Sequence, residues 1–132
     1  MPPSPELLEA YRRTDYIVYA RPSFVLKIGR KSPGIEYLLA AKGATSAAFV
    51  TACNPGSVKA SALQNNKAMR ALKAALRGKD YLDGKGRGQR WSEPSYLVLG
   101  IDRDDAEALG RAFRQNAIVF CAKGRAPELL LL

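Results

Sequence analysis

The chain has 132 residues and a formal net charge of +9, because 21 lysines and arginines outnumber 12 acidic side chains. This length suits one domain with its own core, and a hydrophobic content of 47% argues against wholesale disorder. The sequence has no apolar run long enough for a membrane span and no signal-peptide pattern at its start. We therefore expect one cytoplasmic domain over residues 1–132, disordered at residues 1–5, with no membrane partner.

The first third of the chain predicts two helices with a pair of strands between them. A short helix is expected at residues 6–13. Two β-rich runs follow at residues 16–20 and 23–29, and the Arg-Pro pair between them favours a hairpin. A second helix is expected at residues 33–41, where Gly43 is typical of a C-terminal cap.

The middle of the chain alternates strand, turn and helix. Residues 47–53 form an apolar run of strand length, and Asn54-Pro55-Gly56 is a strong turn signal. A long amphipathic helix follows and ends near Gly78. Residues 79–82 predict a weak strand, and the glycines and cations of residues 83–90 predict a basic loop.

The last third predicts a strand at residues 96–101, a helix capped by Asp102, and strands at residues 116–122 and 128–132. The resulting β-α-β-β-α-β order is typical of ferredoxin-like folds. We therefore predict an α+β fold with a mixed or antiparallel sheet and a ferredoxin-like core at about residues 47–122. An N-terminal β-β-α extension and an extra C-terminal strand would enlarge that sheet.

Most of the positive charge lies in one quarter of the chain. Residues 59–90 carry nine basic side chains and two acidic ones. Such a segment predicts a surface for RNA or DNA, although a solvated helix face followed by a loop explains the same pattern. The residues that would contact nucleic acid are Arg70, Lys73, Arg77, Lys79, Lys85, Arg87 and Arg90.

The most distinctive polar segment leads from the apolar strand into the long helix. Free N–H groups and the positive end of the helix dipole favour anions at such a point. Asn54, Ser57 and Ser61 add hydrogen-bonding groups there, and Asn65 follows on the same helical face. The alternative is structural, because Ser61 and Gln64 fit a capping box and Asn54 precedes a proline as in ordinary turns.

Two further polar groups are expected at the same end of the sheet. In the predicted topology, the end of the first core strand and the start of the third lie side by side, since these neighbours run antiparallel. This brings two later polar segments towards Asn54, and the N-terminal helix adds two more residues. The predicted ligand-binding residues are Asn54, Ser57, Ser61, Asn65, Glu93, Ser95, Gln115, Tyr11 and Arg12.

Catalytic chemistry has few candidates in this sequence. The absence of histidine excludes the usual triads and most zinc sites. Cys53 is a candidate nucleophile, but no histidine is present to activate its thiol. Among the site residues, Glu93 is the only candidate for a general acid or base. The acidic residues that follow Asp102 are explained by capping, so we expect no metal and no cofactor.

Several short motifs recur in a fixed order along the chain. They are Tyr11-Arg12-x-Thr14-x-Tyr16, Thr51-Ala52-x-Asn54-Pro55-x-Ser57, Asn65 or Asn66, Trp91-x-Glu93-x-Ser95 and Phe113-x-Gln115-Asn116-Ala117. Together they resemble a small bacterial family known only as a domain of unknown function, number 3293 in its series. The resemblance runs from about residue 8 to residue 131. It implies a stand-alone cytosolic bacterial protein and carries no assigned activity.

These observations lead to an expected function with two alternatives. We expect a binding domain for a small polar or phosphorylated, nucleotide-like ligand at a helix N-terminus. The first alternative is nucleic-acid binding through the basic segment, and the second is a small enzyme that uses Glu93 as acid or base. A protein–protein role through the edge strand at residues 129–132 stays open, as does the oligomeric state.

Overall fold

A computed structural model describes residues 3–132 of the chain, and within them helices and strands alternate along the sequence. The helices are α1 (Pro5–Arg13), α2 (Pro33–Lys42), α3 (Ala62–Ala75) and α4 (Arg103–Ala112). The strands are β1 (Asp15–Val18), β2 (Phe24–Leu26), β3 (Ser46–Val50), β4 (Asp80–Arg87), β5 (Ser92–Leu99), β6 (Ala117–Ala122) and β7 (Glu128–Leu131). The fold class is therefore α+β, as predicted.

Each helix begins where a short polar side chain can accept a hydrogen bond from its first turn. The capping residues are Ser4, Ser32, Ser61 and Asp102, and each accepts from the backbone N–H three residues later. Residues 1 and 2 lie outside the described part of the chain. Ser4 is the N-cap of α1 and Pro5 is its first residue; the disorder expected at residues 1–5 stays a prediction.

The strands form one antiparallel sheet of seven strands within residues 3–132, in the order β2-β1-β4-β5-β3-β6-β7. The predicted hairpin is present, since β1 pairs with β2 antiparallel. Strand β3 lies between β5 and β6 and is antiparallel to both. The most apolar strands thus lie in the inner part of the sheet, where both of their faces can be buried.

Two cores cover the two faces of this sheet. On one face, α3 and α4 pack over β3, β5 and β6, with Met69, Leu72 and Ala106 among the buried side chains. On the other face, α2 contributes Ile35 and Leu39 to a core that includes β1 and β2. This second face extends beyond α2, and the candidate site lies on that extension.

The predicted basic loop at residues 83–90 is wrong for most of its length. Strand β4 continues to Arg87 and pairs with both β1 and β5. Gly84 shows the physical reason, because a Cβ there would lie 2.7 Å from the carbonyl oxygen of Ile17 and 2.7 Å from the ring of Phe49. The glycine marks a close approach of strand β1 rather than a flexible loop.

The long helix also begins later than the ligand prediction requires. Helix α3 starts at Ala62, whereas Pro55–Ser57 form a separate 3₁₀ turn. Asn54 and Ser57 therefore lie in the connection before the helix and not at its N-terminus. None of the helices in residues 3–132 has the length and apolar character needed to cross a bilayer.

Candidate ligand-binding site

The connection between β3 and α3 has an unusual backbone. Asn54 and Ser57 both have positive φ, at 50° and 63°. Arg114, which follows α4, has φ of 56°, and its carbonyl oxygen accepts a 2.7 Å hydrogen bond from Gly56 N–H. Left-handed backbone at non-glycine residues is energetically costly and concentrates at functional sites. Three such residues therefore meet at one end of the sheet.

Asn54 is the centre of a hydrogen-bond network that reaches β5. Its backbone N–H donates to Asn65 Oδ1 at 2.8 Å, and its Oδ1 accepts from Ala60 N–H at 2.9 Å and from Asn65 Nδ2 at 3.0 Å. Its Nδ2 donates to Glu93 Oε2 at 3.1 Å. Because Ala60 N–H can only donate, the orientation of the Asn54 amide is fixed. Asn54 thus presents a donor to the Glu93 carboxylate.

Ser57 joins the N-terminal helix to the start of β6. The hydroxyl groups of Ser57 and Tyr11 are 2.9 Å apart, and Asn116 Nδ2 donates to Ser57 Oγ at 3.0 Å. Tyr11 also anchors its own helix, since its carbonyl oxygen accepts from Tyr16 Oη at 2.8 Å. These bonds connect three distant segments of the sequence at the same sheet end.

Gln115, which lies just before β6, holds the connection between β3 and α3 in place. Its Nε2 donates to the carbonyl oxygens of Cys53 and Phe113, both at 3.2 Å. Two carbonyl acceptors identify this atom as the amide nitrogen, so Gln115 Oε1 remains as an acceptor. Thr51 adds a similar tie, because its hydroxyl donates to the Pro94 carbonyl oxygen at 2.8 Å.

A small pocket of about 60 Å³ opens beside these residues, and we call it the Glu93 pocket. Its polar lining is Glu93, Ser95, Thr51 and Gln115, its aromatic lining is Tyr11, Tyr16, Phe49 and Trp91, and Gly86, Ala117, Ile118, Val119 and Leu129 complete it. This volume is well below the roughly 300–1,000 Å³ of pockets that enclose a whole drug-sized ligand. The pocket therefore suits the polar head of a ligand rather than a whole cofactor.

Trp91 forms an exposed wall of the Glu93 pocket. It belongs to the tight connection between β4 and β5, and 44% of its surface is exposed. The indole lies against Gly88, where an added Cβ would come 2.1 Å from Trp91 Nε1. Trp91 also borders a larger open cleft of about 590 Å³ that contains Arg13, Arg87 and Arg90.

Glu93 has an environment unlike that of a surface carboxylate. Burial raises the pKa of Glu93 above its usual value, and the hydrogen bond from Asn54 offsets part of this increase. Burial also raises the pKa of the Cys53 thiol. The thiolate of Cys53 is thereby disfavoured, which argues against the nucleophile considered from the sequence.

The predicted site residues separate into two groups. The structure brings together Asn54, Asn65, Glu93, Ser57 and Tyr11 through direct hydrogen bonds, and Ser95 and Gln115 line the same pocket. Ser61 instead forms a complete capping box with Gln64, so its side chain serves α3. Arg12 is exposed and does not line the Glu93 pocket.

Two polar residues of the pocket lining, Tyr16 and Thr51, are not in the predicted ligand-binding set, although both lie in motifs noted in the sequence. The sequence pattern places each of them within a predicted strand, at residues 16–20 and 47–53. The alternation of β1 and β3 places both side chains on the pocket face. Within residues 3–132 no group of three or more metal-ligating side chains is clustered.

Five of the predicted nucleic-acid residues border two different depressions of the surface, Arg70, Lys73 and Arg77 one of them and Arg87 and Arg90 the other. Arg70 and Lys73 lie on the exposed side of α3, Arg77 lies in the turn that follows the helix, and all three border a depression of about 360 Å³ with Tyr81. Arg87 is on β4, where its guanidinium lies 3.2 Å from the Asp15 carboxylate. Together with Lys27, Arg87 lowers the pKa of Asp15.

Comparison with known families identifies the chain at the family level. The profile of the family described as "Protein of unknown function (DUF3293)" matches residues 50–118, more than half of the sequence. The chain belongs to this family. The matched segment includes Asn54, Glu93 and Gln115, whereas the motif around Tyr11 lies before it. No curated protein and no solved structure matches the chain.

Proposed function

We propose that this member of the family binds a small polar ligand that donates hydrogen bonds to Glu93. The observation that carries the proposal is the half-buried carboxylate, of which one oxygen is held by Asn54 at 3.1 Å. The other oxygen, Oε1, accepts no hydrogen bond from residues 3–132. Since a partly buried carboxylate needs donors, this oxygen is available for a ligand.

A second acceptor supports the same ligand chemistry. Gln115 lines the Glu93 pocket, and its Nε2 is already engaged with two backbone carbonyls. Its Oε1 has no donor among the described residues. Two acceptors and an aromatic wall favour a planar group with N–H donors, such as a guanidinium, an amidine or the amino edge of a nucleobase.

The pocket favours a donor over a phosphate. An ionised carboxylate repels an anion, and no lysine or arginine lines the Glu93 pocket. The start of α3 offers less than the sequence indicated, because Ser61, Gln64 and Asn65 are engaged in capping and in the Asn54 network. We therefore propose the Glu93 pocket, rather than the helix N-terminus, as the place of ligand binding.

The proposal can be tested with the intrinsic fluorescence of Trp91, which is the only tryptophan in the chain and borders the pocket. Guanidinium, adenine and cytidine serve as probes. We expect a saturable change with at least one probe, weakened at least tenfold in Glu93→Gln. The matched control is Glu107→Gln, which removes a carboxylate from α4 without touching the pocket. Equal binding by Glu93→Gln and the unmodified chain would exclude this function.

The same pocket also supports the enzyme hypothesis. A raised pKa moves a carboxyl group towards the range in which it exchanges protons at neutral pH. If a bound probe is converted with a pH dependence that disappears in Glu93→Gln, Glu93 acts as acid or base. Binding without conversion supports the binding domain.

Nucleic-acid binding is the second candidate function, and α3 provides the observation that favours it. The sequence from residue 59 to residue 79 contains no acidic residue. Arg70, Lys73 and Arg77 form no ion pair within the described part of the chain. An electrophoretic shift at low salt is expected for an RNA or DNA oligonucleotide, and no shift would exclude this candidate.

The finer description of the fold is also a proposal. We propose that β3, α3, β4, β5, α4 and β6 constitute a ferredoxin-like unit. The strand order β4-β5-β3-β6 and the position of α3 and α4 on one face support it.

A further inference from the structure

The depression between α3 and β4 combines cations with an aromatic ring, and we call it the basic groove. It is lined by Arg70, Lys73, Ala74, Arg77 and Tyr81 and has a volume of about 360 Å³. Arg70 and Lys73 lie three residues apart on one side of α3, and Arg77 follows in the turn after the helix.

The cations of the basic groove have no ion-pair partner among the described residues. In the described residues, each of the six ion pairs involves other basic side chains, including Lys42 with Asp80 at 3.5 Å. All three groove cations are exposed. Like charges at such spacing repel one another and weaken an isolated helix, so a polyanion would relieve this repulsion.

Tyr81 gives the basic groove a rigid aromatic wall. Its ring packs edge-on against Tyr96, with centroids 5.2 Å apart and an interplanar angle of 74°. Tyr81 is half-buried and also packs against the core beneath α3. Because neighbouring side chains already hold the Tyr81 ring in place, stacking a base on it would cost little side-chain entropy.

We infer that the basic groove binds single-stranded nucleic acid, with phosphates on Arg70, Lys73 and Arg77 and one base stacked on Tyr81. This inference rests on the second candidate function, nucleic-acid binding, and assigns it a site. A single strand is required because the bases of a duplex stack on each other and leave no internal base face for Tyr81. Positive side chains beside an aromatic platform are the usual combination for single strands.

The test measures binding of a fluorescein-labelled oligothymidine to the full chain by anisotropy over a range of salt concentrations. Tyr81→Leu is expected to weaken binding at least fivefold, while Tyr81→Phe, which keeps the ring, binds as the unmodified chain does. The triple variant Arg70→Ala, Lys73→Ala, Arg77→Ala is expected to reduce the slope of log K against log salt by about 2. A labelled hairpin duplex is expected to bind more weakly than the single strand.

A matched triple variant separates the groove from the overall charge. Arg30→Ala, Lys31→Ala, Lys123→Ala removes the same three charges at exposed positions outside the groove. Equal loss in both triple variants, an unchanged Tyr81→Leu, or a preference for the duplex would overturn the groove assignment. If the unmodified chain binds no oligonucleotide at low salt, the second candidate function itself fails. Circular dichroism of each variant confirms that the fold is retained.

Discussion

The Glu93 pocket and the basic groove lie on opposite faces of the same sheet and are built in opposite ways. Around the Glu93 pocket, side chains from α1, β5 and the loops beside β3 and β6 bond to one another at 2.8–3.2 Å. Along the basic groove, the side chains of Arg70, Lys73 and Arg77 form no ion pair with the described residues. The first region is held in place by its own polar groups, and the second by the apolar face of its helix.

This contrast separates two kinds of recognition. A fixed network with one unused carboxylate oxygen selects a ligand by the geometry of its donors. Unpaired cations attract anions over longer distances and respond to salt. Changes in the pocket should therefore alter stability and selectivity together, whereas changes in the groove should alter only binding.

Asn54→Ala is expected to have the largest effect on stability. It removes hydrogen bonds to Ala60, Asn65 and Glu93 and places alanine at a φ of 50°, where asparagine is better tolerated. We expect a loss of roughly 2–4 kcal/mol in the free energy of unfolding, measured by urea denaturation.

The matched control for this change is Asn66→Ala, which lies one position after Asn65 on the exposed side of α3. It should change the free energy of unfolding by less than about 0.5 kcal/mol. Similar losses in the two variants would contradict a central role for the Asn54 network.

The close approach of β1 to β4 at Gly84 gives the second-largest effect. Gly84→Ala would place a Cβ 2.7 Å from the Ile17 carbonyl oxygen and 2.7 Å from the Phe49 ring. We expect a loss of about 1–3 kcal/mol, because the backbone oxygen of a paired strand cannot move aside easily. Gly86→Ala is the comparison, since its nearest contact would be 3.7 Å. A melting temperature that falls equally in both variants would show that lost glycine, not overcrowding, is responsible.

Local rules predicted much of this fold because its helices carry explicit end signals. Asp102 caps the helix that it was expected to begin, and Gly43 adopts the left-handed conformation that ends α2. The same rules wrongly predicted a loop from the glycines of β4. Gly84 is present because Ile17 and Phe49, in other strands, leave no room for a side chain there. A contact with a distant segment of the chain cannot be predicted from the residue types on either side of it in the sequence.

In the candidate site, too, some features could be predicted from the sequence and others could not. Antiparallel pairing was sufficient to bring Glu93 and Gln115 towards Asn54, and the hydrogen bonds agree with that expectation. It was not sufficient to show that Ser61 caps its own helix or that Arg12 is exposed and does not line the pocket. Only the three-dimensional structure shows whether a polar side chain caps its own helix or bonds to a distant residue.

Glu93→Gln is expected to have a smaller effect of opposite sign. The raised pKa means that the folded chain binds a proton at Glu93 more tightly than the unfolded chain, so the ionised form costs stability at neutral pH. Glutamine can still accept from Asn54, and we expect a gain of about 0.5–1 kcal/mol at pH 7. The gain should disappear as the pH falls below the usual glutamate pKa of 4.5.

Urea denaturation at pH 7 and pH 4 checks this prediction, with Glu107→Gln as the control. Glu107 forms an exposed ion pair with Arg111, so its loss should change little at either pH. A Glu93→Gln variant that is less stable at pH 7 would show that the carboxylate supports the fold rather than a ligand.

The smallest stability effect is expected in the basic groove, and it completes the contrast with the Glu93 pocket. The triple variant Arg70→Ala, Lys73→Ala, Arg77→Ala removes three exposed cations that have no partner among the described residues, and alanine favours the helix slightly more. We expect the free energy of unfolding to change by less than about 0.5 kcal/mol or to increase, as measured by urea denaturation. A loss above about 1 kcal/mol would mean that these side chains support α3 by packing along its surface. If the triple variant is as stable as the unmodified chain or more stable, and binds the oligonucleotide more weakly, the three cations act in binding and not in stabilising the fold.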